Sequence, residues 1–397
     1  MEKDLAMDLE TLKQQIRQEV ERYRSELIDL SLRIHANPEL GYEEAKASKW
    51  LGDFLAENRF QVETGFCGLP TAFRASYGRG RPVVAMLAEY DALPDVGHGC
   101  AHNILGTLHV GAGLAARPVV DQAGGTVVVI GSPAAEKLGS KVTMLNQGAF
   151  EGVDVALQAH PRMGAAPVGS RFVAGLNLEV EYWGKAAHAA TGPWLGISAL
   201  DALILAINNV NGLRCQMRDG TRVAYIITDG GKAANLVPEH AAGVFTIRAP
   251  DTAILDDVAE KLVNCLNGAA VATGTRLEHR MGLKIQSSRN NTELIRLWTE
   301  NMRALGRTVA GIQSSSGAGD IGNVSQALPT LLSFISMSPE DLPHHTREWT
   351  AIAEGEKAHE ALVDGAVGLA MVAADIITQP EVLARIKEEF QDKGTKP

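Results

Sequence analysis

The alternation of apolar and polar positions predicts a first region in which helices and buried strands follow one another. Residues 9–34 carry apolar side chains at helical spacing among charged ones, as an amphipathic helix does, and Pro38 ends this helix. A second helix is predicted over residues 46–55. Short apolar runs, each a candidate buried strand, then alternate with helical stretches and cover residues 82–88, 125–131 and 153–159. This order predicts an α/β domain with a largely parallel sheet.

The pattern changes at about residue 173, where the strands become half exposed. Residues 176–182 alternate between apolar and polar side chains, which is typical of a strand with one face in water. The elements that follow are a helix (197–211), two strands (222–227 and 243–248), a helix (253–270) and a strand (275–279). This β-α-β-β-α-β order is that of a small ferredoxin-like α+β domain. We therefore predict a larger domain, residues 1–172 and 288–397, into which a smaller domain, residues 173–287, is inserted.

Composition and charge narrow the class of protein. Of the 397 residues, 45% are hydrophobic and 21% are charged, which excludes wholesale disorder. The formal net charge of −10 argues against a nucleic-acid-binding protein, which normally presents a basic face. No run approaches about 18 apolar residues, so no membrane span is expected. The polar N-terminus and the four widely spaced cysteines favour a cytoplasmic protein with reduced thiols.

Residues that commonly bind metal ions gather where the predicted strands end. They occur in four segments, residues 88–103, 131–136, 159–161 and 343–346. Because the loops beyond the carboxyl ends of strands in an open α/β sheet converge on one crevice, these distant segments can share a site. A thiolate, imidazoles and carboxylates in one crevice suit zinc or a comparable divalent ion.

Each of these residues also has an ordinary explanation when it is taken alone. A lone cysteine is most often a small buried hydrophobe, and a lone Glu136 is most simply a solvated charge. Cys100 could also be a nucleophilic thiol. Two flanking histidines and two carboxylates at strand ends fit a metal ligand better, and alkylation rates with and without a chelator would separate the two roles.

A series of short motifs makes the chain recognisable. In chain order they are His35–Glu44, Glu89–Pro94, His98–Asn103, Pro133–Glu136, His160–Pro161, Gly184–His188, Asn235–Pro238, Gly319–Asn323 and His345–Trp349. With these motifs the chain resembles the M20 metallopeptidase and amidohydrolase family over essentially its whole length. It is most similar to the branch that contains aminobenzoyl-glutamate hydrolases, Xaa-Arg dipeptidases and aminoacylases. The resemblance implies a phosphorylase/hydrolase-like α/β catalytic domain with an inserted ferredoxin-like dimerisation, or lid, domain.

The resemblance also implies a paired site for divalent metal ions, with zinc expected first and manganese or cobalt as alternatives. Cys100 is similar to a bridging thiolate that replaces the bridging Asp of other branches. The remaining ligands that the resemblance implies are His102, Glu136, His160 and His345. His344, adjacent to His345, fits the pattern less well. Asp91 matches the acidic residue that orients a ligand from behind the site.

The chemistry implied by such a site is amide hydrolysis. The metals polarise the scissile carbonyl and lower the pKa of a bound water toward ~7, and a neighbouring carboxylate moves the proton. In the family that carboxylate is the first Glu of a Pro-Ala-Glu-Glu motif, but this chain has Ala135 there. Loss of the base should lower the rate about 10²–10⁴-fold. A smaller departure is Ala101, where the family usually has Gly.

Three explanations of Ala135 stay open at this point. The residue could be an engineered Glu→Ala change made to trap substrate, because every metal ligand is intact. It could belong to a natural protein that binds its ligand without cleaving it. The alignment could also be displaced, so that another carboxylate acts as the base.

The resemblance assigns further residues to the inserted domain. His188 would complete the active site of a neighbouring subunit by donating to the carbonyl oxyanion, which implies a homodimer, or a larger assembly, through residues 173–287. Asn235 and Arg248 match positions that hold the carbonyl and the free carboxylate of the substrate. A turn residue is the ordinary explanation of His188, and a surface ion pair that of Arg248. Asp320 either lines the pocket or braces a glycine-rich turn.

Together these observations predict a cytoplasmic, dinuclear metal amidohydrolase for N-acyl or N-aminoacyl amino acids and small dipeptides, inactivated at Ala135. Hinge closure between the domains would bring substrate, metals and His188 together. No nucleic-acid or membrane partner is expected. The rival hypothesis is a non-catalytic, metal-dependent protein that binds a ligand in the same pocket.

Overall fold

A computed structural model describes residues 8–137, 139–315 and 317–392. The strands are β1 (Gln61–Thr64), β2 (Phe73–Arg79), β3 (Val83–Ala88), β4 (Gly125–Gly131), β5 (Val155–Met163), β6 (Ser170–Arg171), β7 (Ala174–Trp183), β8 (Ala187–His188), β9 (Arg222–Asp229), β10 (Leu236–Val237), β11 (His240–Ala249), β12 (Arg276–Met281), β13 (Gln313–Ser314) and β14 (Thr330–Ser338). The α-helices are α1 (Leu9–Arg22), α2 (Arg24–His35), α3 (Ala45–Glu57), α4 (His102–Ala115), α5 (Arg117–Ala123), α6 (Ser140–Asn146), α7 (Ala199–Leu213), α8 (Thr252–Thr273), α9 (Thr292–Ala304), α10 (Ile321–Ala327), α11 (Arg347–Ile352), α12 (Glu356–Thr378) and α13 (Pro380–Gln391).

The chain forms two compact units. The larger unit comprises Met1–Arg171, Ser288–Ser314 and Asn323–Pro397, and the inserted unit comprises Phe172–Ser287 and Ser315–Gly322. The short segment Ser315–Gly322 therefore clusters with the inserted unit, although the sequence pattern assigned it to the larger domain.

The larger unit is built on a six-stranded sheet in the order β1-β2-β4-β3-β5-β14. The strands β4, β3, β5 and β14 run parallel, whereas β1 and β2 form an antiparallel edge. Every residue of β4 is buried, which explains its continuous Val-rich run, because helices cover both faces of such sheets. The α/β class with a second, dimerisation-type domain is confirmed.

Two features of the helices in the larger unit differ from the sequence-based predictions: one predicted helix is interrupted, and another helix is long and apolar enough to cross a membrane. The predicted single helix over residues 9–34 is two helices, α1 and α2, interrupted at Tyr23. There the hydroxyl of Tyr23 accepts a hydrogen bond from Arg117 Nη2 at 3.1 Å. The other is α12, which is long and apolar enough to cross a membrane, with a mean hydropathy of 1.8 over its most apolar window. Since 89% of that window is buried inside the protein, α12 packs as a core helix.

The inserted unit contains a four-stranded antiparallel sheet in the order β12-β7-β11-β9. Its helices α7 and α8 pack on the sheet, and the chain order β7-α7-β9-β11-α8-β12 is the ferredoxin-like order. Buried and exposed residues alternate along β7, as the sequence pattern predicts. A separate two-stranded antiparallel sheet of β8 and β10, which the sequence did not predict, belongs to the same unit.

Candidate metal centre

The candidate metal ligands of the larger unit lie where its parallel strands end. Asp91 follows β3, Glu136 follows β4, and His160 lies on the last part of β5. Cys100 comes just before α4, whose first residue is His102. Because parallel strands present their carboxyl ends at one edge of a sheet, these side chains converge.

Five side chains form two overlapping groups of ligand atoms. The first triad is Cys100, His102 and His160, and the second triad is Cys100, Glu136 and His345. Within each triad all ligand atoms lie within 4.8 Å of one another. Cys100 belongs to both triads, which is the place of a bridging ligand between two ions.

The histidines of the first triad are oriented by their second ring nitrogen. His102 Nδ1 donates to Asp91, whose Oδ1 lies at 2.9 Å, and His160 Nδ1 donates to the Pro161 carbonyl at 2.7 Å. The proton on each Nδ1 leaves Nε2 with the lone pair that a metal needs. His160 Nε2 lies 3.7 Å from the Cys100 sulfur.

Asp91 also orients the second triad. Its Oδ2 accepts a hydrogen bond from the backbone N–H of Glu136 at 2.9 Å. The side chain of Asp91 is fully buried, so one carboxylate fixes a ligand of each triad. The family resemblance implies such a supporting role for Asp91.

A divalent cation fits the electrostatics of these groups. Glu136 Oε1 is buried and has no hydrogen-bond partner among the described residues, which is costly for a carboxylate oxygen unless a cation lies beside it. Burial raises the pKa of the Cys100 thiol to about 12, so the thiolate needs a cation to form. Burial also lowers the pKa of His160 to about 4 and keeps that ring neutral, the form that binds metal. Sulfur, nitrogen and oxygen donors together suit zinc or a comparable ion.

A buried polar cluster supports the centre from behind. Glu89 Oε1 accepts hydrogen bonds from Lys141 Nζ at 2.7 Å and from Gln158 Nε2 at 2.8 Å. Burial alone would raise the pKa of Glu89, but the positive charge of Lys141 holds it well below its usual range. Sequence reasoning named the Glu89 segment without a role and missed Lys141 and Gln158. Lys141 is the one charged residue of α6, and this is the signal that could have found it.

The loop that carries Ala135 is held in a fixed conformation. The backbone N–H of Ala134 donates to Glu44 Oε1 at 2.6 Å, and Glu44 is fully buried. Ala134 has a positive φ of 54°, a left-handed conformation that is uncommon outside glycine. Ala135 is half-buried and directly precedes the ligand Glu136. Its methyl side chain offers no group that titrates.

The adjacent histidines 344 and 345 have different surroundings. His345 lies in the second triad, with Nε2 at 3.5 Å from Glu136 Oε2. The ring of His344 instead packs on Trp349, with 4.0 Å between ring centroids. Burial and the positive charge of Arg162 lower the pKa of His344.

The inserted unit carries the other predicted site residues. His188 is exposed on β8, and its Nδ1 accepts hydrogen bonds from the backbone N–H groups of residues 190 and 191, both at 3.2 Å. Its Nε2 therefore carries the proton and can donate to an oxyanion. Asn235 lies beside it, since its carbonyl accepts from the N–H of Ala189 at 2.9 Å. Arg248 is exposed on β11, and Asp320 is buried.

Comparisons with known proteins agree with this organisation. The model of a peptidase dimerisation domain of the M20 type matches residues 168–273. The chain is 35% identical to Xaa-Arg dipeptidase of Mus musculus, over 98% of this chain and 94% of that protein. It is also 35% identical to one of the subunits of p-aminobenzoyl-glutamate hydrolase of Escherichia coli, over 66% of this chain and 58% of that protein.

Solved structures share the fold. A dinuclear metal-binding peptidase of the M20 family from Bacillus subtilis has a TM-score of 0.66 at 20% identity and covers 89% of this chain and 99% of its own. The aminobenzoyl-glutamate utilization protein from Klebsiella pneumoniae has a TM-score of 0.70 at 19% identity, with 92% of this chain and 100% of its own covered. With its dipeptidase and hydrolase relatives, this chain belongs to the M20 peptidase family of hydrolases.

Proposed function

We propose that this chain holds two divalent metal ions, zinc first, and binds N-acyl or N-aminoacyl amino acids or small dipeptides beside them. The observation that carries the proposal is the pair of triads that share Cys100. The relatives named as dipeptidase and aminobenzoyl-glutamate hydrolase support an amide bond as the chemical target. The fold matches a structure described as a dinuclear metal-binding peptidase.

The bound ions would polarise the amide carbonyl and provide an activated water. The chain's own residues would orient the ligands and substrate: Asp91 fixes His102 and Glu136, and Asn235 and Arg248 hold the substrate. His188, with its proton on Nε2, would stabilise the oxyanion in the active site of a second subunit. The match to a dimerisation domain supports a homodimer through the inserted unit. We propose a cytoplasmic location.

With alanine at position 135, the chain lacks the carboxylate that would transfer the proton of the water. A carboxylate at this position would accept a proton from the water and pass it to the leaving amine. With a methyl group in its place, we propose that this chain binds its substrate and cleaves it about 10²–10⁴-fold more slowly than its Ala135→Glu variant. The alternative function, a non-catalytic metal-dependent binding protein, is favoured by the same residue together with the complete ligand set.

The test compares the zinc-loaded chain with its Ala135→Glu and Ala135→Gln variants on a panel of N-acyl amino acids and dipeptides. Gln matches the size of Glu but cannot take up a proton, so it is the control for shape. We expect the Glu variant to hydrolyse its substrate about 10²–10⁴-fold faster than the other two forms, and all three forms to bind it. Binding without turnover by the Glu variant would favour the binding protein. Full activity of the unaltered chain would show that another residue is the base.

A further inference from the structure

The β8–β10 strand pair of the inserted unit carries two residues to which the proposed function gives a role. β8 ends at His188, and Asn235 directly precedes β10. The register places His188 opposite Leu236 of β10. Within the pair, the ring of His188 is fixed by the two backbone N–H groups that its Nδ1 accepts. The position of His188 in the unit therefore depends on how the β8–β10 pair is held against the four-stranded sheet.

The β8–β10 pair continues directly from the ends of two strands of that sheet. Trp183, the last residue of β7, lies opposite His240, the first residue of β11. The links from these strands to the pair are short, residues 184–186 on one side and residues 238–239 on the other. An anchor at the end of β7 or β11 therefore acts on the pair with little chain between them.

The imidazole of His240 makes hydrogen bonds to carboxylates on both neighbouring strands. Its Nδ1 donates to Oδ2 of Asp229, the last residue of β9, at 2.8 Å. Its Nε2 donates to Oε2 of Glu181, on β7, at 3.2 Å. Because an ionised carboxylate can only accept, both ring nitrogens carry a proton, and His240 is an imidazolium in this arrangement. One side chain thus joins β7, β9 and β11 at the end of the sheet from which the β8–β10 pair extends.

The bond between His240 and Asp229 closes the segment that contains Asn235. β9 ends at Asp229 and β11 begins at His240, so the segment between them is residues 230–239, which include β10. The Asp229 carboxylate also accepts from the backbone N–H of Gly231 at 3.0 Å. The two ends of the segment are therefore tied to each other, which reduces the conformational freedom of the chain between them.

An aromatic ring packs against the imidazolium. The ring centroids of Trp183 and His240 are 4.3 Å apart. Partial burial lowers the pKa of His240, but the hydrogen bonds to Asp229 and Glu181 raise it above its ordinary value of about 6.5. The charged form, which both hydrogen bonds require, is therefore retained to a higher pH than in a free histidine.

We propose that His240 is a positioning residue, which holds the β8–β10 pair, and with it His188 and Asn235, in the orientation that the reaction needs. This inference rests on the proposed function, in which His188 donates to the oxyanion in the active site of a second subunit. His240 contacts neither substrate nor metal in this role and acts through His188.

The first experiment requires no turnover. Hydrogen–deuterium exchange with mass spectrometry is measured on the zinc-loaded chain and on its His240→Gln variant. Glutamine is uncharged and donates from one nitrogen only, so it cannot replace both bonds. His279→Gln is the matched control, because His279 is exposed on β12 of the same sheet. Zinc content and circular dichroism are recorded for each protein.

Two backbone N–H groups report on the β8–β10 pair. That of Ala189 donates to the Asn235 carbonyl at 2.9 Å, and that of Gly184 donates to the Glu239 carbonyl at 2.8 Å. We expect both to exchange at least about tenfold faster in His240→Gln, because the pair opens locally more often. The central residues of β7 and β11, and the whole unit in the control variant, should exchange as in the unaltered chain.

The pH dependence of the same exchange separates a titrating bond from a merely structural one. The charged groups around His240 are Glu181 and Asp229, with the positive charge of Lys232 acting on Asp229 and Arg276 of β12 beyond the tryptophan ring. The raised pKa means that protection is fully present below about pH 6.5 and is lost as the pH rises through that pKa. After correction for the intrinsic exchange rate, the Gln variant should show no such step.

The second experiment measures kinetics in the Ala135→Glu form, on the panel compound that this form cleaves fastest. His188→Gln removes the oxyanion donor, so kcat should fall with little change in KM. His240→Gln should lower kcat about tenfold in the same way, and should have almost no further effect once His188→Gln is present. His279→Gln should leave kcat and KM unchanged.

Two results would overturn the inference while the proposed function stands. If the β8–β10 pair exchanges equally in His240→Gln and the unaltered chain, the imidazolium does not hold the pair. If exchange rises but the effects of His188→Gln and His240→Gln on kcat are additive, His240 stabilises the unit without positioning His188. If the Ala135→Glu form cleaves no panel compound, the proposed function fails and the catalytic role of His240 falls with it, whereas the exchange data still decide whether His240 holds the pair.

Discussion

The two triads of the metal centre share Cys100 but differ in how their other ligands are held. In the first triad, His102 is buried and fixed by Asp91, and His160 is fixed by the Pro161 carbonyl. In the second triad, His345 has a side chain that is 52% exposed, and no described residue forms a hydrogen bond to its Nδ1. A site whose ligands are already oriented loses less conformational entropy when an ion binds.

Because of this difference, we expect the two ions to bind with different affinities. His345 is positioned through its backbone, since its N–H donates to the Gly99 carbonyl at 3.1 Å and its φ is 63°. Binding of an ion must therefore also fix the orientation of its imidazole. We therefore expect the ion of the first triad to bind more tightly, and a chelator to remove the two ions in two separate steps.

The largest effect is expected from Cys100→Ser, because this change removes the only ligand that both triads contain. We expect the zinc content after dialysis to fall from two ions per chain toward none, measured by mass spectrometry of the metal. Cys215→Ser, which alters an exposed cysteine of the inserted unit, is the matched control and should leave two ions. If the Cys100 variant retained both ions, the assignment of Cys100 as a ligand of both ions would be wrong.

Removal of one ligand that belongs to a single triad should separate the sites. We expect His345→Ala to keep one tightly held zinc ion, because the first triad is intact. His102→Ala should keep at most one ion, which a weaker chelator removes, because only the second triad remains. Competition with a chromogenic chelator measures both affinities. Equal residual affinity in the two variants would refute the difference between the triads.

A smaller effect is expected from Asp91→Asn, which leaves every ligand in place. Asp91 now accepts hydrogen bonds from His102 Nδ1 and from the backbone N–H of Glu136, one on each carboxylate oxygen. The asparagine side chain has an acceptor oxygen on one side only, so the orientation of either His102 or Glu136 is lost. Such supporting contacts typically change metal affinity about 10–100-fold. Asp53→Asn, on the exposed face of α3, is the control. An unchanged zinc affinity in Asp91→Asn would show that this support is unimportant.

The smallest effect is expected from His344→Ala. Because His344 packs on Trp349 and lies outside both triads, its removal should change zinc affinity by less than about twofold. The chelator competition used for His345→Ala measures the zinc affinity of this variant too. A loss comparable with that of His345→Ala would mean that the two histidines have exchanged roles.

Local patterns predicted the elements and the clustering of the ligands. The continuous Val-rich run of β4 predicts a strand buried on both faces, and the alternation along β7 predicts a strand buried on one face. Because the carboxyl ends of parallel strands lie at one edge of a sheet, the ligands that follow those strands are expected to cluster. What the sequence could not supply depends on contacts between distant residues. Glu44 holds Ala134 across 90 positions, and Lys141 meets Glu89 only once the sheet is formed.

The hydrogen bond at the break between α1 and α2 also joins residues that are distant in the sequence. Arg117, 94 residues further along the chain, donates to the hydroxyl of Tyr23. For the adjacent pair, the family resemblance favoured His345 over His344, and it is the ring of His345, a residue with a positive φ, that lies 3.5 Å from Glu136.

The most direct test of the shared ligand is a crystal structure of the zinc-loaded chain with anomalous diffraction data at the zinc edge. We predict two zinc ions, each at about 2.3 Å from the Cys100 sulfur, one with His102 and His160 and the other with Glu136 and His345. A single ion, or two ions of which only one contacts Cys100, would contradict the bridging thiolate on which the proposed function depends.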